Sequence, residues 1–342
     1  MKVLFSPRHA LHAPKRVMRL GAFSAGRDVP ERAEQLLATV RAGGHVIVEA
    51  AEHGRAPVAA VHTPEYLDFL ETAHREWTAL PGASEEVLPS HFPVRGMVGG
   101  YPRSVVGRAG YHMHDQLAPI GPGTFDAALA SANLAADAAA RLLAGERVLY
   151  ALCRPSGHHA YADMGGGATY LNNAAIAAQF LRQRMRRVAV IDIDVHHGNG
   201  TQGIFYGRDD VLFVSLHRDP VDYHPYTVGY AHERGEGVGL GYNLNLPLPA
   251  MAQDAAYLDA LQIACRRIES FVPEALVVSL GFDAHAEDPS QGLALSFDAY
   301  RAIGERLARL GLPTALIQEG GYAVGNLGRC LTEFFSGFEG AA

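Results

Sequence analysis

Cysteine is scarce: the 342 residues hold three, Cys153, Cys265 and Cys330, and no two are spaced as a pair. That excludes a disulfide framework and a thiolate zinc site, and it makes a reducing, cytoplasmic compartment the expectation. No apolar run approaches the length of a membrane span. The short stretch Val3-Leu4-Phe5 before Pro7 reads as a first strand, without the apolar core of a secretory signal. Positive charge is not in excess: Lys+Arg 29 against Asp+Glu 36 gives a formal −7, which argues against a nucleic-acid binder held by phosphate contacts. No Pro/Gly/Ser linker, charge run or repeat divides the chain, so one domain over residues 1–342 is expected. A Gly-x-Ser-x-Gly elbow is missing, which speaks against a serine hydrolase. So is a Gly-x-Gly-x-x-Gly after a strand, which speaks against a dinucleotide-dependent dehydrogenase.

What is present is an alternation of short apolar runs with Ala-rich helical stretches, the pattern of an α/β layer fold. Residues 3–5, 45–48, 147–152, 187–191, 211–216, 242–246, 275–280 and 314–317 read as strands. Helices are expected over 30–41, 63–77, 124–144, 172–184, 252–270 and 297–310, the second opened by Thr63 as N-cap and Pro64 at the first helical position. The basic segment 6–27, with His9 and His12, has no clear period and reads as a surface loop. Residues 81–123 are long, Gly- and Pro-rich, and read as an inserted loop serving a substrate tunnel or a dimer contact.

Polar residues collect where the buried strands stop. Arg187-Val188-Ala189-Val190-Ile191 runs into Asp192-Ile193-Asp194-Val195-His196-His197-Gly198-Asn199-Gly200. Three other strands run into His158-His159, Gly281-Phe282-Asp283 and Glu319-Gly320-Gly321-Tyr322. In a parallel sheet these tips share the carboxyl rim, where α/β folds bind ligands. Asp194 and His196, two apart in extended chain, project to one side and with Asp283 make three oxygen and nitrogen donors, a set that leaves zinc an open position. Such an ion acidifies a water and polarises a carbonyl. His158 and His159 offer a base and an acid near neutral pH, with Asp192 and Asn199 as partners that fix their tautomers. Tyr322 can donate to a developing oxyanion. A lone Asp or His at a strand end is ordinarily a cap, and Gly-Gly-Tyr alone is a weak signal. Their coincidence at four strand ends points to hydrolysis at a metal. A non-catalytic small-molecule binder on the same rim is the competing class.

The motifs Arg154-Pro155-Ser156-Gly157-His158-His159, Asp192 to Thr201, Gly281-Phe282-Asp283 with Asp288-Pro289, and Glu319-Gly320-Gly321-Tyr322 resemble those of the zinc-dependent histone deacetylase superfamily. Within it the resemblance is strongest to bacterial acetylpolyamine amidohydrolases, through Tyr66 to Ala73, Phe92-Pro93-Val94-Arg95, Leu152 to Pro155, Tyr170 to Ala175 and Gly203-Ile204-Phe205-Tyr206. The resemblance implies an arginase/deacetylase-like three-layer α/β fold around an eight-stranded parallel sheet. It implies zinc, with ferrous iron as the other candidate, on Asp194, His196 and Asp283. It also implies a structural potassium ion on Asp192, Asp194, His196, Ser215 and Leu216, and a second monovalent ion near Phe205, Arg208, Val211 and Tyr242. The segment 81–123 would build a homodimer and narrow the tunnel.

The chain departs from that pattern where substrate is chosen. Val106 and Leu117 stand where the polyamine enzymes carry glutamates, leaving Asp115 as the acid able to compensate. Among the tunnel residues Gly167, Ala168, Tyr223 and His224, Ala168 and His224 replace two aromatic rings, which implies a wider tunnel. Pro155-Ser156-Gly157 replaces the usual Pro-Pro-Gly. The reading is a zinc-dependent amidohydrolase that hydrolyses N-acetyl or related N-acyl amides of primary amines, free or as acyl-lysine. A protein acetyl-lysine deacylase or a non-catalytic homologue are the alternatives.

Overall fold

Val188, Ala189, Val190, Ile191 and Asp192 form a strand with every residue buried, as β-branched and apolar residues do in a sheet covered on both faces. It belongs to a computed structural model that describes residues 1–94 and 99–341. Arg95 to Val98, inside the expected inserted loop, lie outside the described residues, as does Ala342.

In chain order the strands are Lys2–Leu4 (β1), Val17–Arg19 (β2), Ala22–Ser24 (β3), Val46–Val48 (β4), Val148–Ala151 (β5), Val188–Asp192 (β6), Val211–Arg218 (β7), Asn243–Leu248 (β8), Ala275–Leu280 (β9) and Thr314–Gln318 (β10). Eight of them make the main sheet in the order β4-β1-β5-β10-β9-β6-β7-β8, and every pairing is parallel. The eight-stranded parallel sheet expected from the sequence is the one found.

Side chains alternate across this sheet, so it builds two cores. Leu149, Ala151, Val188 and Val190 pack with helices Thr124–Leu143 (α5) and Asn173–Leu181 (α6). Tyr150, Leu152, Ala189 and Ile191 pack with Glu31–Ala42 (α1), Asp254–Phe271 (α8), Phe297–Ala308 (α9) and Val324–Ala341 (α10). Truncating a member such as Ile191 to Ala is expected to cost about 2–5 kcal/mol, because the dense core relaxes little around the void. The alanines of α5 have a reason. Ala135, Ala138 and Ala139 face the sheet, while Ala128, Ala132 and Ala136 face a third core with Pro64–Thr78 (α3), so both sides need close approach.

Two stretches differ from the sequence reading. The segment 6–27 is not a surface loop throughout: it holds the β2–β3 hairpin, and His9 and His12 are buried, at 6% and 1% exposure. The segment 81–123 contains a helix, Val105–His112 (α4), started by Ser104, whose Oγ accepts from the Val106 amide. Gly107 and Gly110 disguise it, since glycine costs about 1 kcal/mol in a helix. Gly110 is there for packing: a Cβ would come within 1.6 Å of the His91 carbonyl oxygen. Helix α10, beyond the last motif read from the sequence, closes against α9 and α1 through Phe334 and Phe338. No helix among the described residues is long and apolar enough to cross a membrane.

Candidate active site

The strands β5, β10, β9 and β6 are consecutive neighbours in the sheet, so the four polar loops leave one rim side by side. After β6 the chain is pinned by its own carboxylates: Asp192 Oδ1 accepts from the Asp194 amide at 3.1 Å, and Asp194 Oδ1 from the His196 amide at 2.9 Å. Asp283 Oδ1, at the end of β9, accepts from the Val195 amide at 3.0 Å. Asp194 Oδ2 accepts from Gly320 after β10 at 2.8 Å. Three strand ends are thereby locked together.

Asp194, His196 and Asp283 each offer a donor atom within 4.8 Å of the others. His196 Nδ1 lies 3.0 Å from Asp194 Oδ1 and 3.2 Å from Asp283 Oδ2. The hydrogen bond goes to Asp194, and Asp283 Oδ2 is buried with no hydrogen-bond partner. Burial pushes His196 down, but Asp194 and Asp283 outweigh it and raise the ring to about 9. Burial, then the Asp194 charge, pushes Asp283 up to about 7. Two buried carboxylates, one imidazole and an orphaned oxygen fit a divalent cation, which neutralises the repulsion that a shared proton otherwise relieves. Gly320 keeps the space open, since a Cβ there would meet Asp283 Oδ2 at 2.4 Å and Asp194 Oδ2 at 2.5 Å.

The rings of His158 and His159 lie 4.0 Å apart beside this group. His158 Nδ1 is 2.9 Å from Asp192 Oδ2, and His159 Nδ1 is 2.6 Å from Asn199 Oδ1. Each pairing puts a proton on Nδ1, and His158 Nε2 is 3.8 Å from Asp194 Oδ1. Burial disfavours charge on both rings. For His158, Asp192 and Asp194 outweigh it and raise the ring well above the usual value; for His159, the neighbouring rings add to it and push it well below. Opposed shifts in adjacent groups are the electrostatic mark of an acid and a base. Burial, then Asp283, keeps the Tyr322 hydroxyl protonated.

Several other residues read from the sequence contact this group or its neighbours. Ser215 is the cross-strand partner of Asp192 in the β6–β7 register, with Leu216 next to it, and Ser215 Oγ is 2.8 Å from His217 Nδ1. Tyr223 stacks on His196 at 5.2 Å, and His224 stands edge-on to His159 at 4.8 Å. The Gly167 amide donates to Asp115 Oδ2 at 2.8 Å, and Ala168 follows with a left-handed φ of 64°. Val106 packs at the edge of the α3–α4 core, and Leu117 is partly buried.

The residues that brace this group include Arg154, Asp288 and Glu319, which the sequence reading quoted in its motifs without a role, and Arg32 and Asp28, which it did not name. Arg32 in α1 donates to the carbonyls of Gly321 and, at 2.7 Å, Glu319, and its guanidinium lies 4.9 Å from the Tyr322 ring centroid. Asp288 Oδ2 accepts from the amides of Tyr322 and Ala323 at 2.7 and 2.9 Å. Glu319 Oε2 accepts from Gly157 and His158 at 2.7 and 3.2 Å; burial pushes this carboxyl up to about 7, although His158 and the Gly157 amide pull it down. Arg154, 2% exposed, binds Asp28 and the carbonyls of His9 and His12. One signal was available for Arg32: it falls on the stripe of Ala33, Leu36, Leu37 and Val40, where a helix buries its apolar face.

The chain matches the histone deacetylase domain model over residues 27–338. It is 45% identical over 338 residues to the acetylpolyamine amidohydrolase of Burkholderia pseudomallei (strain 1710b), covering 99% of this chain and 98% of that one. It is 46% identical over 347 residues to acetylpolyamine amidohydrolase 1 of Pseudomonas aeruginosa, with both chains covered completely. A crystal structure of acetylpolyamine aminohydrolase from Burkholderia pseudomallei superposes with a TM-score of 0.96 at 45% identity, over 100% of this chain and 99% of that one. On this full-length similarity, and on a rim that gathers an Asp-His-Asp group beside tandem histidines, the chain belongs to the histone deacetylase family.

Proposed function

We propose that the chain is a zinc-dependent amidohydrolase that releases acetate or a related carboxylate from acylated primary amines: N-acetylpolyamines, acetylated diamines, acetyl-lysine or another small amide. Membership of the family implies a metal cofactor. Zinc suits the donor set best, and ferrous iron is the second candidate. The observation that carries this reading is the convergence of Asp194, His196 and Asp283 beside His158 and His159. Full-length relatives named acetylpolyamine amidohydrolases support the substrate class.

Bound to Asp194, His196 and Asp283, the ion supplies Lewis acidity toward the amide carbonyl and toward the attacking water. His159, with Nδ1–H directed at Asn199, takes the water's proton at Nε2. His158, kept charged by Asp192, stabilises the negative charge that develops and is a proton source for the leaving amine. The Tyr322 hydroxyl donates to the oxyanion, its backbone held by Asp288 and its ring covered by Arg32. Glu319 fixes the backbone of the tandem histidines relative to β10.

The same reading gives a structural potassium ion to Asp192, Asp194, His196, Ser215 and Leu216. It makes the chain a single deacetylase domain acting in the cytoplasm on small molecules, and a homodimer joined through segment 81–123. Acetate release from a panel of acetylated amines and acyl-lysine peptides, with and without a chelator, tests it. Release that stops on chelation and returns with zinc supports the reading, and a preference for peptides makes the enzyme a protein deacylase. Release indifferent to the chelator, with zinc loss verified, overturns it. Binding of acetylated amines without any release makes the chain a non-catalytic homologue.

A further inference from the structure

One wall beside the tandem histidines is built from charge. At position 224, where the resemblance calls for an aromatic ring, the imidazole of His224 stands edge-on to His159 at 4.8 Å and lies 5.8 Å from the His196 ring. It therefore flanks the first atoms of any chain attached to an amide held there. Its Nε2 is 3.4 Å from Asp115 Oδ2. That same oxygen accepts from the Gly167 amide at 2.8 Å, while Asp115 Oδ1 accepts from Leu117 at 2.8 Å.

The carboxylate is thus pinned between two of the segments that carry the tunnel residues. Burial pushes Asp115 up, but His224 and His114 outweigh it and hold the carboxyl near 2, so it stays ionised. Nε2 is the ring nitrogen that approaches the carboxylate, no hydrogen bond forms at Nδ1 among the described residues, and the side chain is 20% exposed. Val106 and Leu117, at the places of the expected glutamates, bring no charge.

We propose that Asp115 and His224 act as one specificity-determining unit, a carboxylate-braced imidazole that selects acylated amines carrying a protonated nitrogen within a few carbons of the scissile amide. This rests on the amidohydrolase reading above. With Nε2–H directed at Asp115, Nδ1 is the acceptor for an ammonium N–H, and the carboxylate behind it adds attraction for the cation. An uncharged chain of the same length covers that acceptor and leaves it unsatisfied, which rejects the wrong substrate as much as it favours the right one.

The test is acetate release by the zinc-loaded full chain from N-acetylputrescine and from N-pentylacetamide, which differ in an ammonium against a methyl group at equal length. The wild type is expected to favour the cation in kcat/KM on the order of tenfold to a hundredfold, the size of a charge-assisted hydrogen bond. Asp115→Asn and His224→Phe should each bring the ratio toward one, mainly through KM, and the double variant should go no further than His224→Phe. Asp115→Asn keeps an oxygen for the Gly167 amide and guards against a folding defect in His224→Phe. Both variants are read against their melting temperatures. A wild type without preference, or variants that keep it, overturns the proposal. A wild type that hydrolyses neither amide brings down the amidohydrolase reading and this unit with it.

Discussion

The Nδ1 atom of His158 lies 2.9 Å from Oδ2 of Asp192, and the Nε2 atom of the same ring lies 3.8 Å from Oδ1 of Asp194. Burial alone would discharge that ring, and the two carboxylates reverse the sign. His159, held by the uncharged Asn199, goes the other way. His159 is then free base at neutral pH and gains a proton only as pH falls well below 6.5, whereas His158 loses its proton only well above it. The expected profile of kcat is a plateau across neutrality, with an acid limb from His159 and an alkaline limb from His158. Asp192→Asn should move the alkaline limb down by about a pH unit or more and leave the acid limb in place. An alkaline limb that stays put removes His158 from proton transfer.

Tyr322→Phe keeps the ring under Arg32 and the backbone bonds to Asp288, and it deletes the hydroxyl alone. Turnover should fall about 10²- to 10³-fold, the usual loss for one oxyanion donor. Zinc per chain, measured by elemental analysis, should be unchanged. Undiminished turnover would assign the oxyanion to another group.

Metal content separates ligands from bystanders. Asp194→Ala should bring bound zinc to background. Gly320→Ala removes no ligand, yet its Cβ would fall 2.4 Å from Asp283 Oδ2 and 2.5 Å from Asp194 Oδ2, so zinc occupancy should drop there too. Because an ion that binds only the folded state stabilises it by mass action, chelation should lower the wild-type melting temperature and leave the Asp194→Ala variant unmoved.

Arg154 joins Asp28 to the backbone of residues 9–12 from a fully buried position. Arg154→Met leaves Asp28 paired with Arg32 alone and strips the carbonyls of His9 and His12 of their donor, which should cost about 1–3 kcal/mol in chemical denaturation. Burial raises the Asp28 carboxyl, but Arg154 and Arg32 outweigh it and bring it to about 2, below the ordinary 3.8. A depressed carboxyl stabilises above its unfolded pKa. That contribution should therefore be intact above pH 4, be lost as pH falls toward 2, and be smaller in the variant.

The sheet was legible because each strand is a short apolar run between helical stretches, and the rim because its polar residues follow those runs directly. Asp192 to Asn199 can be read as a site within eight consecutive letters. Other features depend on partners far along the chain. His9 and His12 look like loop residues until Arg154, 145 and 142 positions away, is placed over their carbonyls. Glu319 looks like a strand end until its carboxylate meets the amides of Gly157 and His158, over 160 positions earlier. Helix α4 was hidden for a local reason, two glycines required by the close passage of His91 and Pro102. Asp115 could be named from sequence, but its place against His224 could not, since more than a hundred residues and three strands separate them.

Strand β10 is the last of the sheet in chain order, yet it lies between β5 and β9. A nascent chain lacking residues 314–318 holds two half-sheets with open edges along the line where the tandem histidines must meet the Asp-rich loop. Assembly of the rim therefore waits for β10 to insert at the centre of the sheet, and until then both exposed edges invite mispairing.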